Sequence, residues 1–71
     1  MDDKVIIYGK QGWPYTEKAR EAFGGRGQYI DVKLDAAKLQ EMLKKSKGVR
    51  EVPVIIENGK VTVGYDGSWG V

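Results

Sequence analysis

The stretch Lys4-Val5-Ile6-Ile7-Tyr8-Gly9-Lys10-Gln11-Gly12-Trp13-Pro14-Tyr15-Thr16 decides how the rest of the chain is read. From Lys4 to Tyr8 a β-branched run has the character of a buried strand. Gly9-Lys10-Gln11-Gly12 interrupts that run as a loop. Pro14 suits the first turn of a helix, where a missing backbone N–H costs nothing. Tyr15, Ala19, Ala22 and Phe23 then recur at spacings of three and four, predicting one packed face of a helix that runs on from Thr16 to Phe23. Gly24-Gly25-Arg26-Gly27 ends it.

Working outward, Gln28 to Lys33 alternates weakly and is expected to form a second strand. Asp35 is the N-cap of a second helix that turns Leu39, Met42 and Leu43 inward. Lys44, Lys45 and Lys47 are expected in its last turn, where cations suit the helix dipole, with Gly48 closing it. Val52 to Glu57 is expected as a third strand opening with Pro53. Asn58-Gly59 is a hairpin signal, and Lys60 to Gly64 returns as a fourth strand. The Gly-rich tail, residues 64–71, shows no regular pattern. The order β-α-β-α-β-β implies an α/β fold: a four-stranded mixed sheet carrying two helices, in a single domain spanning residues 1–71.

With 12 Lys and Arg against 10 Asp and Glu, the 71 residues carry a net charge of only +2. That excess excludes a polybasic nucleic-acid arm, and the aromatic residues do not interleave with a basic run. The apolar runs Val5-Ile6-Ile7 and Val52 to Ile56 fall far short of the roughly 20 residues of a membrane span. Asp2 and Asp3 stand where a secretory leader would be positive, so the cytoplasm is the expected compartment; a monomer is expected as well. There is no Cys and no His. The sequence therefore holds no thiolate nucleophile, no Cys-type zinc site and no side chain that ordinarily titrates near neutrality.

Against that background the chain resembles a glutaredoxin, a family with the thioredoxin fold. The resemblance runs from about Lys4 to Asp66. Ile7-Tyr8-Gly9-Lys10-Gln11-Gly12-Trp13-Pro14-Tyr15-Thr16 is similar to the family's active-site stretch, in which Cys-Pro-Tyr-Cys opens the first helix. Arg50-Glu51-Val52-Pro53 resembles its Thr-Val-Pro element, whose proline is cis. Asn58-Gly59-Lys60 followed by Gly64-Tyr65-Asp66 resembles its last hairpin and Gly-Gly-Tyr-Asp turn. The departures are Trp13 at the nucleophile position, Thr16 at the resolving position, Glu51 for Thr and Val63 for the first Gly. The family's C-terminal helices have no counterpart here.

The resemblance implies thiol-disulfide oxidoreductase chemistry centred on position 13. A helix N-terminus and Lys10 would there stabilise a deprotonated nucleophile. It further implies that Lys10, Tyr15, Arg50, Val52, Pro53, Gly64, Tyr65 and Asp66 line a substrate site. Val52 would offer its backbone in strand-addition style. The partners implied are a disulfide-containing protein or a small-molecule thiol, with glutathione as cosubstrate and no bound cofactor or metal.

A subset resembles the chain more closely: the small UXX-star selenoproteins, with Pro-Tyr-Thr after the active residue and a short C-terminus. Their name describes a selenocysteine followed by two closing residues, the spacing of Trp69-Gly70-Val71 here. Selenocysteine is written UGA, one base from the tryptophan codon UGG. On this reading Trp13 and Trp69 occupy selenocysteine positions, and Trp69 marks a second redox position. Another reading stays open. Trp13 is then an aromatic plug on a non-catalytic, peptide-binding thioredoxin-fold module, and Trp69 anchors the tail.

Overall fold

The computed structural model describes residues 4–71; Asp2 and Asp3, read above against a leader, lie outside the described residues. Strand β1 spans Val5–Gly9, helix α1 Pro14–Phe23, strand β2 Gly27–Asp31 and helix α2 Ala36–Lys45. Strands β3 (Glu51–Val52), β4 (Val54–Glu57), β5 (Lys60–Val63) and β6 (Trp69–Gly70) follow. A four-stranded sheet runs in the order β2-β1-β4-β5. In it β1 is parallel to β2 and antiparallel to β4, and β4 is antiparallel to β5. The expected mixed sheet with two helices is present. No helix among the described residues is long and apolar enough to cross a membrane.

Strand periodicity divides the core between the two sheet faces. Tyr8 and Val54 pack with Val32, Val52 and Met42 of α2 on one face. Val5, Ile7 and Ile55 pack with Ala19 of α1 on the other. Fully burying a Val, Ile or Met side chain contributes about 1.5–3 kcal/mol, so these residues hold the sheet between its helices. Inside the first cluster the Tyr8 hydroxyl donates to Glu41 of α2. Burial first, and then the Glu41 carboxylate, push that hydroxyl well above the ordinary phenol value. The bond from Tyr8 in turn holds Glu41 below the usual carboxylate range.

Asp35 caps α2 as expected, accepting from the N–H groups of Ala37 and Lys38. Asn58 and Gly59 both take positive φ, 52° and 80°, which a two-residue hairpin turn of this hand requires. Elsewhere the structure corrects the sequence reading. Ala22 is exposed, and Thr16 is fully buried in its place on the packed face of α1. Its side chain lies so close to Gly9 that a Cβ there would collide with it. The second strand stops at Asp31, before Lys33, because the Asp31 carboxylate accepts from the N–H groups of Lys33 and Leu34 and turns the chain. Lys47 lies beyond the α2 cap at Ser46, with φ of 59°.

The largest corrections concern the third strand and the tail. Val52 to Glu57 is not one strand: the Val52–Pro53 peptide is cis and divides it into β3 and β4. The tail does have regular structure. Its β6 pairs antiparallel with β3, Val52 opposite Trp69 and Glu51 opposite Gly70.

Candidate functional site

The site grows from the loop between β1 and α1. Trp13 is the N-cap residue of α1, extended at φ −87° and ψ 130°, with Pro14 opening the helix. Its side chain makes no capping hydrogen bond. The side chain at position 13 therefore stands at a helix N-terminus, where unpaired N–H groups give a partial positive charge. Lys10 adds to that field, its Nζ lying 4.8 Å from the centre of the Trp13 ring.

Two carboxylates fix the loop from behind. Glu17 Oε2 accepts from the Gly12 N–H at 3.2 Å, and Asp31 Oδ2 accepts from the Gln11 N–H at 3.3 Å. Partial burial pushes the Asp31 carboxyl up. The N–H groups of Lys33, Gln11 and Leu34 and the Tyr29 hydroxyl outweigh that and hold it below the usual carboxylate range. The Tyr29 hydroxyl is itself raised, by burial and then by Asp31. Thr16 lies beneath the loop, its hydroxyl accepting from the Lys10 N–H at 3.4 Å.

The tail forms the opposite wall. The Gly64 N–H donates to the Pro53 carbonyl at 2.7 Å, with Gly64 at φ 93°. At Gly67 the backbone runs over the Tyr15 ring so closely that a Cβ would sit on the ring atoms. The Ser68 hydroxyl donates to Glu51. Trp69 then lays its ring edge-on against Trp13, centroids 5.0 Å apart, and against Tyr15 at 5.6 Å. Val71 closes the segment, its N–H donating to the Arg50 carbonyl and its carbonyl accepting from Arg50 Nε, both at 3.0 Å.

Lys10, Trp13, Tyr15, Val52, Pro53, Gly64 and Trp69 thus belong to one constellation at the end of β1. Arg50 joins it through Val71. Tyr65 and Asp66 are directed to the flank of α1 instead. The Tyr65 ring stacks edge-on with Phe23 at 6.1 Å, and Asp66 pairs with Lys18 at 2.9 Å. Asp66 raises the Lys18 ammonium above its ordinary value. Lys18, Glu21, Ala22, Tyr65 and Asp66 line a groove of about 640 Å³. A second groove, about 360 Å³, lies between α1 and Tyr29. Neither is lined by Trp13 or Trp69.

Sequence reasoning missed Glu17 and Asp31 as loop anchors, and Glu51 and Ser68 as a tail contact. An acidic residue in the first helical turn was a signal for Glu17. Nothing local marked the Glu51–Ser68 pair. A family model described as Glutaredoxin matches residues 5–62 of the chain. No curated protein matches the chain.

Proposed function

The chain belongs to the glutaredoxin family, thioredoxin-fold proteins of redox function, and from that premise we propose that positions 13 and 69 are its paired redox positions. The chain is then a thiol- or selenol-disulfide oxidoreductase scaffold in which tryptophan fills both places. The carrying observation is that the chain's 2 Trp residues meet, ring centroids 5.0 Å apart, beside Pro53 and the start of α1. The family resemblance marks position 13 through the active-site stretch and position 69 through the closing Trp69-Gly70-Val71 spacing.

The chemistry follows from the setting. A thiolate or selenolate at position 13, stabilised by the α1 N-terminus and Lys10, attacks one sulfur of a substrate disulfide. A bond forms to that sulfur and the other leaves as thiolate. The second chalcogenolate, at position 69, attacks the atom at position 13, joining the two positions and releasing the first sulfur as thiolate. The substrate gains two electrons and the pair loses two. A small thiol such as glutathione, two molecules per turnover, then reduces the pair. Arg50 and Asp66, now engaged by Val71 and Lys18, would have to exchange those contacts to hold the charged ends of such a thiol. Indole neither ionises nor exchanges here, so with tryptophan in both places none of these steps runs.

The second reading, a peptide-binding module without catalysis, is favoured by the packing of Trp13 against the α2-side core. Cysteine substitution separates the two. Trp13→Cys should titrate below the free-thiol value of about 8.5 and exchange with glutathione faster than a free cysteine. The double substitution Trp13→Cys with Trp69→Cys should give an intramolecular disulfide. A thiol that titrates as a free one, with no internal disulfide, overturns the redox assignment. UGG at both codons in the source gene would remove the selenium part alone.

A further inference from the structure

We propose that Ser68–Val71 is a resident, displaceable ligand of the β3 edge, and that an extended peptide from a partner protein binds there only after this segment has unpaired. The inference deepens the substrate side of the preceding section. It rests on the β3 edge being the docking edge, and it needs no redox chemistry at position 13.

The two strands of the small ladder are unequal. Val52 in β3 is 1% exposed and belongs to the core, whereas its partner Trp69 is 43% exposed. The host strand is therefore fixed by the fold, and the guest rests on it. The guest's polar contacts are generic ones that another chain would also supply. Its backbone pairs with β3, a hydroxyl reaches Glu51, and one backbone carbonyl meets Arg50 Nε. Its side-chain contacts are an aromatic ring set against Trp13 and Tyr15, and Val71 at the margin of the α2-side core. This is the pattern of strand addition, in which main-chain hydrogen bonds give affinity and a side-chain pocket gives selectivity.

The hold is weak for two reasons. Gly67 adjoins the segment and Gly70 lies within it, and ordering glycine loses more backbone entropy than ordering any other residue. The ladder is also only two residues long. The fitting partner is a peptide with an aromatic residue at the register of Trp69 and a hydrogen-bond donor just before it to meet Glu51. Its apparent affinity is its intrinsic affinity scaled by the fraction of molecules with the edge open.

The test uses a fluorescently labelled peptide, Asp-Gly-Ser-Trp-Gly-Val, copying residues 66–71. Binding is followed by anisotropy to the whole chain, to Trp69→Ala, and to Trp69→Ala combined with Ser68→Ala, changes that loosen the guest segment and leave the β3 edge and Arg50 intact. Folding of each is checked by circular dichroism, and opening by hydrogen exchange at the Val71 amide. The expected result is faster Val71 exchange in both variants and peptide affinity raised at least about tenfold over the parent. A peptide with Ala for Trp should lose that gain. Equal affinity across the three proteins despite faster exchange overturns the proposal, as does absence of binding to both folded variants. Thiol assays at position 13 can fail while the peptide still competes, or succeed while it does not, so the two readings fall separately.

Discussion

Val5, Ile7, Val54 and Ile55 of the four-stranded sheet are at most 4% exposed, whereas Trp69 of the β3–β6 ladder is 43% exposed. Beyond its backbone ladder, the sheet is held mainly by apolar side chains from its strands and both helices. The ladder is held by named pairs: Trp69 with Trp13 and Tyr15, Ser68 with Glu51, Val71 with Arg50. Burial scales with the apolar area removed from water and needs a side chain of the right size rather than one particular partner. Paired contacts depend on identity and are more easily exchanged. The division suits a small scaffold that must stay folded while one strand beside its site comes and goes.

The sharpest way to break this contrast is Met42→Ala. Met42 is fully buried in the α2-side cluster, so the substitution leaves a cavity and should destabilise the protein by about 3 kcal/mol in urea unfolding. For a chain of this size that is a large part of the total, since stability runs at about 0.05–0.15 kcal/mol per residue. A loss below about 1 kcal/mol would mean that the sheet does not depend on its α2-side core.

Trp69→Ala is the matching change in the ladder. It removes two edge-on ring contacts from a half-exposed position and should cost about 1 kcal/mol, with the unfolding transition still cooperative. Near-ultraviolet circular dichroism should lose the signal of the coupled indoles. Should Trp69→Ala destabilise as much as Met42→Ala, the tail belongs to the core and the distinction disappears.

The same contrast explains what was legible in the sequence. Val5 to Ile7, Met42 and Val54 to Ile56 announce themselves through period and apolar character, and Asp35 and Asn58-Gly59 through local hydrogen-bonding and φ requirements. The β3–β6 ladder has neither kind of signal. Each strand is too short to show alternation, and its partner contacts come from residues distant in the chain. The apolar run across Val52, Val54 and Ile55 also hid the break at Pro53. Thr16 was misplaced in a related way. Its methyl fills the space over Gly9 while its hydroxyl meets the Lys10 N–H, so a polar residue takes the core position that Ala22 was expected to share. The positions of chemical interest, Trp13 and Trp69, were found through family resemblance, but their contact came only from the fold.

The finest test concerns the loop that joins the two regions, and its expected effect is a fraction of that of Trp69→Ala. Asp31 ends β2 in the main sheet and also holds the Gln11 N–H of the loop leading to Trp13. Its folded-state value is lowered by the N–H groups around it. Its contribution to stability is therefore complete above the unfolded value of about 3.9 and is lost as pH falls through the lower folded value. Asp31→Asn keeps an acceptor oxygen but removes the charge, so it should be less stable than the parent at neutral pH. That gap should close as the parent carboxylate protonates in acid. Urea unfolding of both proteins at pH 7, 4 and 3 measures it, and tryptophan emission reports whether the loop shifts with it. A gap that stays constant across this range would show that the turn at Lys33 and Leu34 needs only an oxygen acceptor. The charge on Asp31 would then have no part in setting the loop before position 13.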